Sequence, residues 1–356
     1  MSEPRARVGA VATAWLWCVA AFVAVILLVR GGAPHGSGLE RMDVKLDHYA
    51  SSADDYSAVF LGSSRTMRGF VPELFDARVA EHGLTLRSFN LGVPGARVTE
   101  MIYLLERMRE LRPAKLRYVF IDPEDFEQIH DTRNVLAQSG IIWHDPTTTW
   151  LVTRHLLESG FGGARRNAIL LDHWRACAYN ALNVGRTARW VNAALGRSVD
   201  PNFTADTLGA RGDGHTALFD EQETLAKRRR RFERGRADYE TLVQRYREQR
   251  PPPGPAPAQF SELVERIQTL VRELGATPVF VIQPALSWQW DLVKIAEAGE
   301  LETLLRYDDP ELHPELFAHE NRFDARHLND DGAALFTRTL ADDFSAFVRA
   351  REGDSK

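Results

Sequence analysis

Residues 58–67 read AVFLGSSRTM, and this stretch decides the fold that the sequence predicts. An apolar run over residues 59–61 meets Gly-Ser-Ser and then polar residues. This pattern is typical of a buried strand that ends in a tight turn, with a helix or a loop leaving the turn. Gly62 lets the backbone turn sharply, so that Ser64 would face outward at the carboxyl end of the strand. Clefts in parallel α/β sheets open at that end, which makes Ser64 the first candidate for a functional residue.

The sequence on either side of a long central segment alternates between strand and helix patterns. Apolar residues recur at helical spacing in some stretches, and short apolar runs bounded by turn residues occur in others. The predicted elements after the first strand are a strand over 84–91, a helix over 98–108, a strand over 116–121, a helix over 260–274, a strand over 278–282 and a helix over about 330–349. Asn329 is a plausible cap of the last helix. Strand, helix, strand in this order predicts an α/β fold with a parallel sheet.

The central segment, residues 127–257, has a looser pattern. It contains four tryptophans and a basic run at residues 227–231, and it ends in a proline-rich linker after Arg250. Consecutive prolines cannot continue a helix, so we predict a mostly helical insertion that stops there. The basic run is most simply one solvated helical face; an alternative is a site for an anionic glycan or a lipid headgroup.

Composition excludes several classes of function. The chain has 356 residues, with 44 Lys and Arg against 49 Asp and Glu, and its net charge of -5 gives no reason to expect nucleic-acid binding. Its two cysteines, Cys18 and Cys177, are too few and too far apart to indicate a disulfide framework.

The N-terminus predicts a membrane anchor. Residues 8–29 form a 22-residue stretch without a charge, preceded by Arg5 and Arg7 and followed by Arg30. About 20 apolar residues cross the hydrocarbon core of a bilayer as a helix, and basic residues before the span place the tail in the cytoplasm. Everything after Arg30 would then be periplasmic or extracellular. The alternative is a cleavable signal peptide, although the apolar stretch is longer than such peptides usually have.

A second candidate site residue precedes the last predicted helix, where residues 324–329 read DARHLN. A hydroxyl nucleophile needs a base to accept its proton, and the base needs a partner that fixes its tautomer. Asp324, three residues before His327 on a turn, can place a carboxylate beside the imidazole. The chain order Ser64, Asp324, His327 is compatible with a catalytic triad.

Three short blocks together resemble the SGNH (GDSL) hydrolase superfamily. Gly62-Ser63-Ser64 stands for its Gly-Asp-Ser block, Asn90-x-Gly92-x-x-Gly95 for its second block, and Asp324-x-x-His327 for its last. The resemblance covers residues 55–126 and 258–350. It implies a flavodoxin-like three-layer α/β/α sandwich with Ser64 as nucleophile, His327 as base and Asp324 as its orienting partner. It also implies oxyanion donors in the backbone amides of Ser64 and Gly95, and no cofactor or metal.

The third block departs from the family pattern. The family has Gly-x-Asn-Asp after its third strand, whereas residues 122–125 here read DPED, without an asparagine that could donate to an oxyanion. Loss of one such donor can cost about two to three orders of magnitude in rate. The carboxylates of this stretch and His130 are side chains of the types that bind metals, but a solvated loop is the simpler interpretation. Membrane-anchored relatives that help to O-acylate envelope polysaccharides also lack part of the hydrolase motif set.

The sequence therefore predicts a membrane-anchored, outward-facing serine esterase or O-acyltransferase. Its predicted substrate is an acyl ester in which an acetyl group is carried by a cell-envelope glycan or a related molecule. The alternatives are a non-catalytic accessory that binds glycan or a membrane-bound acyltransferase, and a structural envelope protein with a degenerate site. The predicted organisation is a tail and anchor (1–30), a spacer (31–54), the first part of the α/β domain (55–126), the insertion (127–257), the second part (258–350) and a tail (351–356).

Overall fold

The structure is a computed structural model, and it describes residues 3–32, 40–123, 135–159, 162–184, 191, 194–197, 201–218 and 223–354. The chain divides into two compact units. The smaller unit comprises residues 1–43 and 130–199, and the sheet unit comprises residues 44–129 and 200–356. The segment predicted as one insertion, residues 127–257, thus contributes to both units, with residues 200–257 in the sheet unit.

A five-stranded parallel sheet forms the centre of the sheet unit. Its strands are β1 (Ala58–Leu61), β2 (Ser88–Asn90), β3 (Tyr118–Ile121), β4 (Thr277–Ile282) and β5 (Leu304–Arg306). Their order across the sheet is β2-β1-β3-β4-β5, and every neighbouring pair is parallel. In the register, Ala58 lies opposite both Ser88 and Tyr118. The prediction of an α/β fold with a parallel sheet is confirmed.

The helices of the two units are named here in chain order. They are α1 (Glu3–Gly32), α2 (Glu40–Ser51), α3 (Ser64–Gly69), α4 (Pro72–Glu81), α5 (Val98–Leu111), α6 (Gln138–Ile142), α7 (Pro146–Glu158), α8 (Gly163–Ala181), α9 (Pro201–Leu208), α10 (Glu223–Arg234), α11 (Arg236–Glu248), α12 (Ala258–Glu273), α13 (Trp290–Glu297) and α14 (Asp330–Asp354). The last begins after Asn329, whose Oδ1 accepts the Gly332 amide at 2.9 Å as the predicted cap.

Both faces of the sheet are buried. Phe60 of β1 and Phe120 of β3 point to one face, where they contact each other at 4.8 Å between ring centroids and pack with Phe75 of α4 and Phe344 of α14. Because successive side chains of a strand point to opposite faces, the alternate residue Val59 belongs to the other face, and it too is fully buried. Near-continuous apolar strands of this kind are typical of a parallel sheet covered on both sides.

The smaller unit is helical in its described part, where α8 packs against both α6 and α7. Val135, Ile141 and Ala176 form a small apolar cluster. Next to it, two buried histidines interact, with His144 Nε2 2.8 Å from His173 Nδ1.

The N-terminal stretch predicted to span a membrane lies within the helix α1. A membrane span was not found there: no helix in the described ranges combines the length and the apolar character needed to cross a bilayer.

Several elements of the sheet unit were not predicted, among them the helix α13 and most of α2, which falls in the predicted spacer. The edge strand β5 was not predicted because its three side chains are only half-buried. Its sequence therefore lacks the continuous apolar run that marks a buried strand. The sequence left open whether a helix or a loop follows the turn after β1; the structure has the helix α3, whose six residues are too few to show a helical period. The helix α4 was not predicted.

Candidate active site

The first part of the site is the turn after β1. Ser63 caps α3 by accepting the Arg65 amide on its Oγ at 3.2 Å, and Ser64 is the first residue of that helix. A Cβ on Gly62 would lie 1.9 Å from Thr66 Oγ1, so only glycine fits between strand and helix. The sequence thus places Ser64 at the carboxyl edge of the sheet, partly accessible to solvent.

The second part of the site is a closed turn before α14. Asp324 Oδ1 accepts the backbone amides of Arg326 at 2.7 Å and His327 at 3.0 Å, which folds the segment back on itself. The Phe323 amide donates to the His327 carbonyl at 2.9 Å. Beneath the turn the fully buried Arg322 donates to the Ala325 carbonyl at 3.1 Å. The turn is therefore fixed by local hydrogen bonds and by a guanidinium under it.

The structure brings the three sequence-predicted side chains together. Ser64 Oγ lies 3.0 Å from His327 Nε2, and His327 Nδ1 lies 3.1 and 3.2 Å from the two oxygens of Asp324. Since a carboxylate only accepts, we assign the Nδ1 proton to the side that faces Asp324. The Nε2 lone pair then faces the Ser64 hydroxyl, which is the arrangement that a general base requires.

Asp324 is held in its ionised form. Burial, the largest influence, would raise the pKa of this carboxyl, but the hydrogen bond and charge of His327, the Arg326 amide and the charge of Arg228 outweigh it, and the pKa lies below its usual value of 3.8. Four donors thus converge on the carboxylate: two backbone amides, an imidazole and a guanidinium. An ionised Asp324 fixes the imidazole tautomer and can stabilise an imidazolium.

Arg228 was missed by the sequence reasoning, which treated its basic run as a solvated face. Its Nη2 lies 2.6 Å from Asp324 Oδ2 and 3.2 Å from His327 Nδ1, although its side chain is 44% exposed. The next residue, Arg229, donates to the carbonyls of Arg322 and Phe323. The only signal in the sequence was the basic run itself, which does not say what the helix packs against.

The second block supports Ser64 from the neighbouring strand. The Asn90 side chain is fully buried; its Nδ2 donates to the carbonyls of Thr66 and Phe70, both at 2.8 Å, and its Oδ1 accepts the Gly92 amide at 2.9 Å. A Cβ on Gly92 would lie 2.4 Å from the Met67 amide nitrogen. Asn90 therefore ties the turn after β2 to the helix that carries Ser64.

A buried lysine, also missed in the sequence, holds the same turn from below. Lys45 is fully buried, and its Nζ donates to the carbonyls of Asn90 at 3.0 Å, Gly92 at 2.7 Å and Gly214 at 2.6 Å. Three charge-assisted hydrogen bonds to carbonyls use all three donors of an ammonium group. In the sequence Lys45 looks like any polar residue of the amphipathic helix α2.

The predicted oxyanion donors lie on neighbouring turns. Ser64 follows β1, and Gly95 follows β2 with a left-handed φ of 76°, where glycine is favoured. Among the described residues, none accepts a hydrogen bond from the backbone amide of Ser64 or Gly95. In the part of the chain that the structure describes, Gly95 forms no hydrogen bond with the side chain of Ser64, His327 or Asp324.

The third block is placed differently from the solvated loop that the sequence predicted. Asp122 is 1% exposed, and its Oδ2 accepts Gln283 Nε2 at 2.7 Å and faces Arg65 Nη2 at 3.5 Å. Gln289 Nε2 lies 3.4 Å from the other oxygen. The carboxylate is therefore a buried hydrogen-bond acceptor. The rest of the predicted acidic group, Glu124, Asp125 and His130, lies outside the described residues.

The sequence was compared with protein-family models and with curated proteins. The chain matches no protein-family model, and no curated protein matches it significantly.

Proposed function

We propose that this protein is a serine esterase or O-acyltransferase with Ser64 as nucleophile, His327 as general base and Asp324 as the partner of the base. One observation carries the proposal: Ser64 Oγ lies 3.0 Å from His327 Nε2, while His327 Nδ1 faces Asp324. A hydroxyl, an imidazole and a carboxylate in contact in this order are what acyl transfer through a covalent intermediate needs.

The proposed reaction has two halves. Ser64 Oγ attacks the ester carbonyl carbon while His327 Nε2 accepts the hydroxyl proton; His327 then gives that proton to the leaving alcohol as the ester bond breaks. Water or a sugar hydroxyl next attacks the acyl-Ser64, with His327 again taking and returning a proton. Asp324 stabilises the imidazolium in both halves. The amides of Ser64 and Gly95 are the proposed donors to the oxyanion.

The resemblance to SGNH hydrolases supports the finer parts of this proposal. The strand order 2-1-3-4-5 is that of flavodoxin-like sheets, in keeping with a three-layer α/β/α sandwich. The proposed substrate is an acetyl ester of a cell-envelope glycan or a related ester. By the same resemblance, the proposed partner is a membrane-bound acyltransferase.

The proposed location is extracytoplasmic, with residues 8–29 as a membrane anchor. This part rests on the 22 uncharged residues after Arg5 and Arg7 and on exposed apolar side chains of α1 such as Trp15 and Leu28, not on a span found in the structure. A reporter that is active only outside the cytoplasm, fused after Lys356, should be active. A mature chain starting near Pro34 would instead show a cleaved signal peptide.

The function is tested by incubating the full-length protein with a small aryl acetate and following both aryl alcohol release and the mass of the peptide that contains Ser64. We expect a burst of alcohol and a transient mass increase of one acetyl group on Ser64. The matched control is Ser63→Ala, which changes the neighbouring, buried serine on the same turn and should keep the acetylation. An acetyl group on other residues only would contradict the proposal.

A non-catalytic accessory is the second candidate, and the third block favours it. Residues 122–125 read DPED where the family has Gly-x-Asn-Asp, so an acidic residue takes the place of the donor asparagine. An accessory would bind an acylated glycan without forming acyl-Ser64. Unchanged envelope acylation in a Ser64→Ala strain, together with loss of acylation on deletion of the gene, would support the accessory role.

A further inference from the structure

The helix α10 concentrates positive charge next to the candidate active site. Its 12 residues include six basic and two acidic side chains, and none of its residues is buried. The basic residues are Lys227, Arg228, Arg229, Arg230, Arg231 and Arg234. Such a helix contributes little to a core, which leaves its charge available for another purpose.

Contacts with the Asp324–His327 turn fix α10 in place. Arg228 lies 2.6 Å from Asp324 Oδ2, and Arg229 donates to the Phe323 carbonyl. One turn further on, the Phe232 ring stacks on His319 with centroids 4.4 Å apart and planes at 6°. The charge of α10 is therefore held at the edge of the site where Ser64 and His327 meet.

Part of this charge is neutralised, and part is not. Lys227 pairs with Glu223 at 2.7 Å, and Arg229 pairs with Glu233 at 2.9 Å. Arg230 and Arg231 are exposed, and neither forms an ion pair with any residue in the described ranges. Arg231 is three residues after Arg228, which places the two side chains on adjoining positions of the same helix face.

We propose that α10 is a binding site for the anionic groups of the acyl-ester substrate, a glycan that carries repeated carboxylates or phosphates. This inference rests on the proposed function for the identity of the reacting ester. Guanidinium groups bind carboxylate and phosphate oxygens through paired N–H donors. A cluster of one sign beside a cleft also raises the local concentration of a ligand of opposite sign. A neutral glycan would gain nothing from these side chains.

A glycan fits α10 better than a lipid surface does. Helices that lie in a membrane interface have exposed apolar side chains opposite their charged face. The apolar residues of α10, Leu225, Ala226 and Phe232, are all partly buried, and Phe232 is stacked on His319.

The proposal is tested by the affinity of the full-length protein for a hexamer of galacturonic acid, compared with its neutral methyl-esterified form. We expect clearly tighter binding of the acidic hexamer, and weaker binding at high salt because exposed charges are screened. Arg231→Glu should weaken binding about fivefold, as expected for reversal of one nearby solvated charge. An oligomer of glycerol phosphate, used in parallel, separates phosphate recognition from carboxylate recognition.

Lys115→Glu is the matched control, since it makes the same change of charge at the other end of the sheet. Lys115 is exposed and precedes β3, whereas Ser64 follows β1, and parallel strands place these positions at opposite edges. Lys115→Glu should leave binding unchanged. Both variants should hydrolyse a neutral aryl acetate as the wild type does, because Arg231 contacts none of the three reacting side chains.

Three results would overturn the inference. The first is equal affinity for the acidic and neutral hexamers together with no binding of the glycerol phosphate oligomer. The second is an equal loss of binding affinity in Arg231→Glu and Lys115→Glu. The third is binding to anionic phospholipid vesicles but to neither soluble oligomer. The binding assay does not depend on turnover. Tight binding of the acidic hexamer without aryl acetate hydrolysis would reject the proposed enzyme while supporting α10 as an anion site.

Discussion

The neighbouring strands β1 and β3 end at the same edge of the sheet, and their ends differ in chemistry. After β1, Ser64 presents a hydroxyl to His327 at 3.0 Å, a partner that can accept its proton. After β3, the Asp122 carboxylate is buried between Gln283 and Arg65 at 2.7 and 3.5 Å. A buried carboxylate that is surrounded by donors contributes to the stability of the fold, but its oxygens are already engaged and not open to a substrate. The same edge of the sheet thus combines a reactive end and a structural end.

The structural end supports the reactive one through the helix α3. Arg65, which pairs with Asp122, directly follows Ser64. Gln283, another partner of Asp122, also donates to Thr66 Oγ1 at 2.8 Å. Because these side chains tie α3 to the ends of β3 and β4, changes at the two strand ends should have separable effects on chemistry and stability.

The largest effect is expected at the reactive end. Ser64→Ala and His327→Ala should each lower the rate of aryl acetate hydrolysis by about four to six orders of magnitude, and the double variant should be no slower than either, because a triad acts as a unit. Ser64→Ala removes one partly exposed oxygen and should leave thermal unfolding nearly unchanged. Rates of aryl acetate hydrolysis together with melting curves check both statements. Additive losses in the double variant would show that the two residues do not act together.

At the structural end we expect a loss of stability instead. Asp122→Ala would leave the side chains of Arg65 and Gln283 without their buried acceptor, at a cost of about 3 to 5 kcal/mol in the free energy of unfolding. Asp122→Asn, which keeps one acceptor oxygen, should cost less. Denaturant unfolding measures the difference. If Asp122→Ala abolished acylation while the free energy of unfolding stayed at the wild-type value, Asp122 would belong to the reaction and the comparison would be wrong.

A pH effect of intermediate size should come from the segment that packs on α3. Arg68 donates to the Thr216 carbonyl at 2.7 Å, and His215 Nε2 donates to the Arg68 carbonyl at 3.2 Å. Burial, with the charges of Lys45, Arg68 and Arg211, lowers the pKa of His215 from 6.5 to about 4. A base with a depressed folded-state pKa stabilises the fold fully above pH 6.5, and this stability is lost as the pH falls toward 4.

The loss should reach about 2 to 3 kcal/mol in the free energy of unfolding between these two pH values. It is measured as the free energy of unfolding of the wild type minus that of His215→Gln at each pH. The nearby carboxyls of Asp76 and Asp213, whose pKa values burial raises, titrate in both proteins, so the subtraction removes their contribution. A difference that does not change with pH would mean that His215 is not held neutral.

The smallest effect is expected for Arg228→Gln, which removes one of the four donors to Asp324. The pKa of Asp324 should move back toward 3.8, and acetylation of Ser64 should slow about three- to tenfold, because partly exposed ion pairs contribute modestly. Arg231→Gln is the control on the same helix and should not change the rate. The rate of acetylation between pH 4 and 7 checks this, with the largest difference at the acidic end, where Asp324 would begin to lose its charge.

Local sequence determined the two turns that carry the candidate site. Gly62 is required where α3 folds back against β1, and the three-residue spacing of Asp324 and His327 closes a turn by itself. The cap at Asn329 is local as well. These features were predictable because the atoms that interact are a few residues apart, and the apolar runs of β1, β3 and β4 gave the parallel sheet in the same way.

Tertiary structure alone decided which distant groups meet. The Ser64–His327 contact joins residues 263 positions apart. The chain order of the three residues and the family resemblance suggested it, but neither is a physical reason for the two side chains to meet. In the sequence, Lys45, Arg228 and Asp122 were all expected to face solvent. In the structure Lys45 is buried among three carbonyls, Arg228 lies on the Asp324 carboxylate, and Asp122 is enclosed by donors. A charged residue in a sequence predicts solvent exposure by default, since burial of a charge is costly unless partners are supplied. Those partners come from other elements of the fold, which is why only the folded chain reveals them.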